Sequence, residues 1–210
     1  MPRKAAPKKA DLPRAIVDAA LACAASQGWA STSLNDIAQA AGISLAELRG
    51  HFASKNAILQ RFSTMIDEAV LTERDEEMAA RPARERLFDA IMRRFDALAP
   101  HKEGVRAILR STLCDPEAAL CGAASLRRSM RWMLEAADIG GGGLRGALRA
   151  KGLSVVYLAV LNVWLRDETE DMARTMAVLD RQLRRVDRVA TWLERGTACR
   201  TSSEAAADNA

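Results

Sequence analysis

Apolar residues recur along this chain at spacings of three and four, and no alternation of period two persists beyond a few positions. That pattern predicts helices nearly everywhere and no sheet. A first helix is expected over about Asp11–Gln27, with Ile16, Ala19, Ala20, Cys23 and Ala24 on one face and Gly28 at its C-terminal end. Trp29 then folds back onto the core. Ser33 is placed to cap a short helix carrying Leu34, Ile37 and Ala38, with Asp36 in its first turn and Ala41-Gly42 as its close. Ser44 caps the next, which holds Leu45, Leu48 and Phe52. Ser54 caps a long fourth helix through Ile58, Leu59, Phe62, Met65, Ile66, Ala69 and Val70.

A charged run, Glu73 to Glu77, and then Pro82 mark a boundary. Amphipathic helices follow over Leu87–Leu98, ended by Pro100, over Val105–Leu113, and from Pro116 through Leu134. Gly140–Gly143 forms a break, and the most apolar stretch, 153–165, comes after it. The last helix has a regular stripe of Met172, Met176, Leu179, Leu183, Val186, Ala190 and Leu193. Its steps alternate between four and three, a heptad seam able to pack against a partner helix.

Composition supports a helical globular fold. The 210 residues are 49% hydrophobic and 28% charged, with alanine, leucine and arginine dominant and only 4% aromatic. The net charge of +4 is confined to one end. Residues 1–14 carry Arg3, Lys4, Lys8, Lys9 and Arg14 against Asp11, a surplus of four, so the remainder balances at 26 basic and 26 acidic residues. Such a basic arm suits phosphate contacts, although a solvated tail has the same composition. The apolar stretch after Arg14 is interrupted by Asp18 and reads as a first helix, not a signal peptide. Residues 153–165 are too few for a membrane span.

The chemistry-bearing residues are scattered. Cys23, Cys114, Cys121 and Cys199 show no metal-type spacing, and His51 and His101 have no clustered partners, so no metal and no cofactor are expected. Free thiols in alanine-rich surroundings suit a reducing cytoplasm. There is no nucleophile elbow, phosphate loop or acid–base pair, so the chain reads as a non-enzyme.

Residues 32–55 have the spacing of a helix-turn-helix. Ala38 is small where two helices approach, Gly42 can take the left-handed backbone of the turn, and Ile37, Ile43 and Leu48 point to a shared core. Ser44 begins the helix whose first residues would face a major groove. At Ser54-Lys55 the free amides of another helix start and the Lys55 ammonium suit a phosphate.

Thr32, Ile37, Ala38, Ala41-Gly42-Ile43-Ser44, Leu48, His51-Phe52 and Ser54-Lys55 resemble the N-terminal domain of the TetR family of bacterial regulators. The likeness spans about residues 11–195. In the first part it rests on the motif, and in the second on helical architecture. It implies DNA contacts from Thr32, Ser33, Ser44, Leu45, Ala46, Glu47, Arg49, His51 and Lys55. The segment 45–49 departs from the family pattern of a basic residue, small and hydroxyl residues, then Leu-Tyr. Here it reads Leu45, Ala46, Glu47, Leu48, Arg49, followed by Gly50. Glu47 brings negative charge towards phosphates, although a carboxylate can accept from cytosine. A solvated helix residue is the plain alternative for Glu47, as it is for His51 and Lys55. The stretch 156–186 also resembles the lipid-binding proteins of coenzyme Q biosynthesis, which share the fold. Tyr157, Trp164-Leu165-Arg166-Asp167, Thr175 and Leu179-Asp180-Arg181 carry that likeness.

The expectation is therefore an all-α protein: a basic arm over 1–10, a DNA-binding domain over 11–55, a ligand-binding and dimerisation domain over 56–195, and a tail over 196–210. Its expected role is a cytoplasmic, ligand-responsive repressor that binds a near-palindromic double-stranded operator as a homodimer. The alternative is a lipid-binding accessory protein with a vestigial helix-turn-helix. Phe88, Met92, Phe95, Leu109, Met130, Met133, Tyr157, Leu161 and Trp164 are the candidates for a pocket that takes a small apolar ligand. The dimer core is expected as a four-helix bundle of residues 143–166 and 170–195 from both chains, with the heptad stripe of Met172 to Leu193 as the candidate interface residues, and no stable membrane association is expected.

Overall fold

The computed structural model describes residues 11–72 and 76–188, which form helices joined by short turns, with no strand among them. The arm 1–10, the tail 196–210, Ala190 and Leu193 lie outside the described residues. Helix α1 (Leu12–Gln27) has proline in its first turn, where a missing N–H leaves no bond unmade, and ends at Gly28 with φ 83°. Helices α2 (Leu34–Ala41) and α3 (Leu45–His51) each begin with a reciprocal cap. The Ser33 hydroxyl accepts from Asp36 N–H at 3.1 Å, and the Asp36 carboxylate accepts from Ser33 N–H at 2.8 Å. Ser44 and Glu47 repeat the arrangement at 3.2 and 2.8 Å. Between the two helices Gly42 sits in the left-handed region at φ 73°, and Ile43 N–H closes the turn onto Ala38 O at 3.0 Å. Ile16, Ala20, Ile37, Ala38, Leu48 and Phe52 are buried together, as the apolar spacing requires.

Helix α4 (Lys55–Thr72) leaves this unit, and its Ser54 cap accepts from Ala57 N–H at 3.2 Å. It packs against α1, then α6 (Ala83–Leu98) and α8 (Pro116–Ala136). Two short elements were not legible from periodicity: α5 (Glu76–Ala79) and a 3-10 turn, Ala99–His101. Both are shorter than one hydrophobic repeat. Helix α7 (Lys102–Thr112) returns across α1, where a Cβ on Gly104 would stand only 2.8 Å from the Leu21 carbonyl oxygen. The missing side chain is what allows the two backbones to touch.

Helix α9 runs over Gly143–Trp164, ten residues earlier than its apolar part suggests. Its first turns carry Arg145, Arg149 and Lys151 towards solvent, so they add nothing to the apolar run. With 22 residues α9 is long and apolar enough to cross a membrane, which corrects the expectation from 153–165 alone. One of its faces is nevertheless core: Ala150, Leu153, Val156, Tyr157, Val160, Leu161 and Trp164 are buried. Helix α10, over 173–188, completes the described chain. Its heptad stripe divides. Leu179 and Leu183 are buried in the chain's own core, Met172 and Met176 are half-buried, and Val186 is exposed.

The turn between α9 and α10 is organised by buried Asp167. Its carboxylate accepts from Thr169 Oγ1 at 2.6 Å, Thr175 N at 2.8 Å and Thr175 Oγ1 at 2.8 Å. Burial alone would raise its pKa. The Thr169 and Thr175 hydroxyls and backbone N–H groups outweigh that and hold the carboxyl well below the usual carboxylate range. A depressed folded-state pKa adds stability that is present above the unfolded value of about 3.9 and is lost as pH falls below it. Asp167→Asn should therefore lower stability at neutral pH and flatten its decline between about pH 4 and pH 2. Urea unfolding across that range checks it, and an acid limb as steep as the parent's would contradict it.

Candidate nucleic-acid interface

The outer surface of α3 is the exposed side of the helix-turn-helix. Ser44, Leu45, Ala46, Glu47, Arg49, Gly50 and His51 all face solvent, while Leu48 is fully buried and locks the helix down. Leu45 is 49% exposed, an apolar group at the first position of a surface helix. Glu47 has its charge occupied locally. The Ser44 N–H and then the Ser44 hydroxyl hold its pKa below the ordinary value, as Ser33 does for Asp36. The carboxylate thus caps α3 at the end where helix partial charge is positive. The spacing Ser44-x-x-Glu47 carried that signal in the sequence. Arg49 and His51 lie in the last turn as exposed basic groups. A Cβ on Gly50 would meet nothing within 4 Å, so the chain's own packing does not require glycine there.

Two of the expected contact residues turn inward. Thr32 is only 2% exposed, and its hydroxyl donates to Gly28 O at 2.8 Å. Lys55 donates to Trp29 O and Thr32 O, both at 2.6 Å, and its ammonium stands 4.4 Å from the Trp29 ring centroid. Ser33 is exposed, with its hydroxyl engaged in the α2 cap.

The expected pocket residues form one packed core. Phe95, Met130, Met133 and Trp164 are at most 1% exposed, Tyr157 and Leu161 are buried, and Phe88, Met92 and Leu109 are half-buried. Phe95 stacks on Tyr157 with centroids 5.2 Å apart, and Trp164 tilts against Phe95 at 5.5 Å. A groove of about 410 Å³ lies instead between α5, α6 and α10. It is lined by Met78, Arg84, Glu85, Phe88, Asp89, Asp180 and Leu183. Phe88 is common to both sets. The apolar pattern shows which residues avoid water but not where packing leaves a void.

A second surface stripe lies within the segment 143–166 that is expected to share the dimer core, although its individual residues do not stand out in the sequence. On α9, Leu144, Leu148, Lys151, Val155, Leu158 and Asn162 recur at steps of four and three, and all are exposed. This second heptad stripe is broken by a lysine and an asparagine, which obscured it beside the continuous stripe of α10.

Comparison with known proteins agrees with this geometry. Residues 16–62 match the family model of bacterial regulatory proteins of the tetR family. Residues 149–190 match the COQ9 family model. No curated protein matches the chain. Among solved structures, a TetR transcriptional regulator from Rhodococcus sp. RHA1 is 17% identical, with a TM-score of 0.61 over 84% of this chain and 96% of that one. A TetR-family regulator from Streptomyces coelicolor is 18% identical, with a TM-score of 0.59 over 91% of this chain and 90% of that one. Both share the fold. The TetR transcriptional regulator from Nitrosomonas europaea is 30% identical, with a TM-score of 0.69 over 86% of this chain and 98% of that one. With an exposed second helix on an intact helix-turn-helix and that degree of likeness along its length, the chain belongs to the TetR family of transcriptional regulators.

Proposed function

We propose that this regulator is a homodimeric repressor that binds a near-palindromic double-stranded operator and leaves it when a small apolar ligand binds. The observation that carries the DNA reading is the exposed face of α3, Ser44 to His51, held rigid by two capping boxes and by buried Leu48. Residues 11–55 are the DNA-binding unit and 56–195 the ligand and dimerisation unit. Arg49 is the leading candidate for a base or phosphate contact, and Gly50 leaves room for a sugar-phosphate backbone to approach α3. The arm at 1–10 adds phosphate contacts and salt dependence. Ligand acts only if it binds the free and DNA-bound forms unequally. Among the described residues, the groove at α5, α6 and α10 has room to receive one, with Met78, Phe88 and Leu183 as its apolar lining beside the charged Arg84, Glu85, Asp89 and Asp180.

The test is selection from fragmented genomic DNA by the purified protein, followed by sequencing. One enriched palindromic motif near a few promoters is the expected result. Arg49→Ala should weaken binding to that motif by about 1–3 kcal/mol if the guanidinium reads a base. Recovery without any enriched motif would rule out the operator. The lipid-binding alternative is favoured by one observation, the COQ9 match over α9 and α10. Extraction of the purified protein for bound isoprenoid lipid tests it.

A further inference from the structure

We propose that Lys55 is not a phosphate ligand but an internal pin that fixes the turn before α2 onto the first residue of α4, and so sets the angle at which α3 is presented. An ammonium group has three N–H donors and no acceptor. Here two are committed to backbone carbonyls, Trp29 O and Thr32 O, at 2.6 Å each. On another side the positive charge lies over the face of the buried Trp29 ring, 4.4 Å from its centroid. Burial draws the Lys55 pKa down, and the nearby Asp36 carboxylate acts against that shift.

The two carbonyls belong to the segment that leads from α1 into α2. That segment is knotted from within. Thr32 donates its hydroxyl to Gly28 O, its N–H bonds Trp29 O at 3.3 Å, and Gln27 Nε2 reaches both Thr32 Oγ1 and Asp36 Oδ2. Asp36 in turn caps α2. Lys55 adds the bond from this knot to α4, the helix that runs on into the rest of the molecule. Two of the three donors are spent on these partners, which fixes the ammonium against the turn, so in this chain its role is geometric. The proposal rests on the DNA-binding reading for its consequence but not for its geometry.

Lys55→Met keeps the unbranched apolar stem, one atom shorter, and removes its donors. The variant should have a lower Tm and should bind the operator at least tenfold more weakly. The slope of log K against log salt should equal that of the parent. A lost phosphate contact would instead make the slope shallower by about 0.9. That change, or parental affinity, overturns the proposal.

A second measurement needs no variant. Ammonium-selective nitrogen NMR of the parent should show a Lys55 Nζ signal protected from exchange with water. A signal lost to exchange overturns the proposal, as does a protected signal that shifts strongly when the operator is added. If no operator DNA is bound at all, the protected signal still supports the pin while the regulator reading fails, so the two failures are separable.

Discussion

Asp67→Ala should destabilise the fold by about 3–5 kcal/mol in urea unfolding, the cost of leaving a buried charge without its partner. Asp67 on α4 and Arg94 on α6 are 7% and 5% exposed and form an ion pair. The second carboxylate oxygen of Asp67 accepts from Ser129 Oγ of α8 at 2.7 Å, and Ser129 meets Ser63 of α4 at 3.0 Å. Arg94 Nε donates to the Tyr157 hydroxyl of α9 at 3.3 Å. Burial pushes the Tyr157 pKa up, which keeps the phenol neutral and able to accept. Without Asp67, the guanidinium would remain in an apolar surround with a phenol as its main support.

The double change Asp67→Leu with Arg94→Met removes both charges at similar volume and should recover most of the loss, because a buried pair barely offsets its own desolvation. A single change costing under about 1 kcal/mol would mean that water reaches the site. Function supplies a second readout. The cluster ties α4, which carries the helix-turn-helix, to α6, α8 and α9 at one point. The double variant should therefore fold yet respond differently to ligand, since polar bonds of defined direction give way to packing that tolerates sliding.

The same cluster shows where sequence reading stops. The helix-turn-helix was legible because its signals are local: Ser33 with Asp36, Ser44 with Glu47, and Gly42 at the turn all act within a few residues. Asp67, Arg94, Ser129 and Tyr157 are far apart in sequence; the first three have the look of ordinary polar positions and Tyr157 that of a core aromatic, so no local pattern joins them. Glu47 carries two local signals at once: its place in the motif turns a negative charge towards phosphates, and its spacing from Ser44 makes it a cap. Lys55 was read outward because the motif places it at a helix start, whereas its chain is long enough to reach carbonyls on the preceding turn. The α10 stripe was correctly seen as apolar, but period alone cannot tell a partner helix from the chain's own core. Leu179 and Leu183 are packed inside, and the unpaired stripe lies on α9.

That displacement sets where the subunits should meet. Leu148 and Val155 are 59% and 65% exposed and lie two turns apart on the same face of the α9 stripe. Among the described residues no element covers them, and an apolar row of this length in water favours self-association. A two-fold axis brings like residues of two copies close together. If the proposed dimer meets along α9, Val155→Glu sets carboxylate near carboxylate in a drying interface and should leave the protein monomeric in sedimentation at micromolar concentration. Operator affinity should then fall by about 10²–10⁴, since the second half-site is no longer held at high effective concentration. Leu113→Glu is the control. Leu113 is 77% exposed but lies off the stripe, at the end of α7, so that variant should remain a dimer with unchanged DNA binding. Val186→Glu probes the exposed remnant of the α10 stripe. If Val186→Glu separates the subunits while Val155→Glu does not, the interface belongs to α10. If both separate them, α9 and α10 of each subunit form one four-helix contact, as expected for residues 143–166 and 170–195, and the groove beside α10 lies next to that contact.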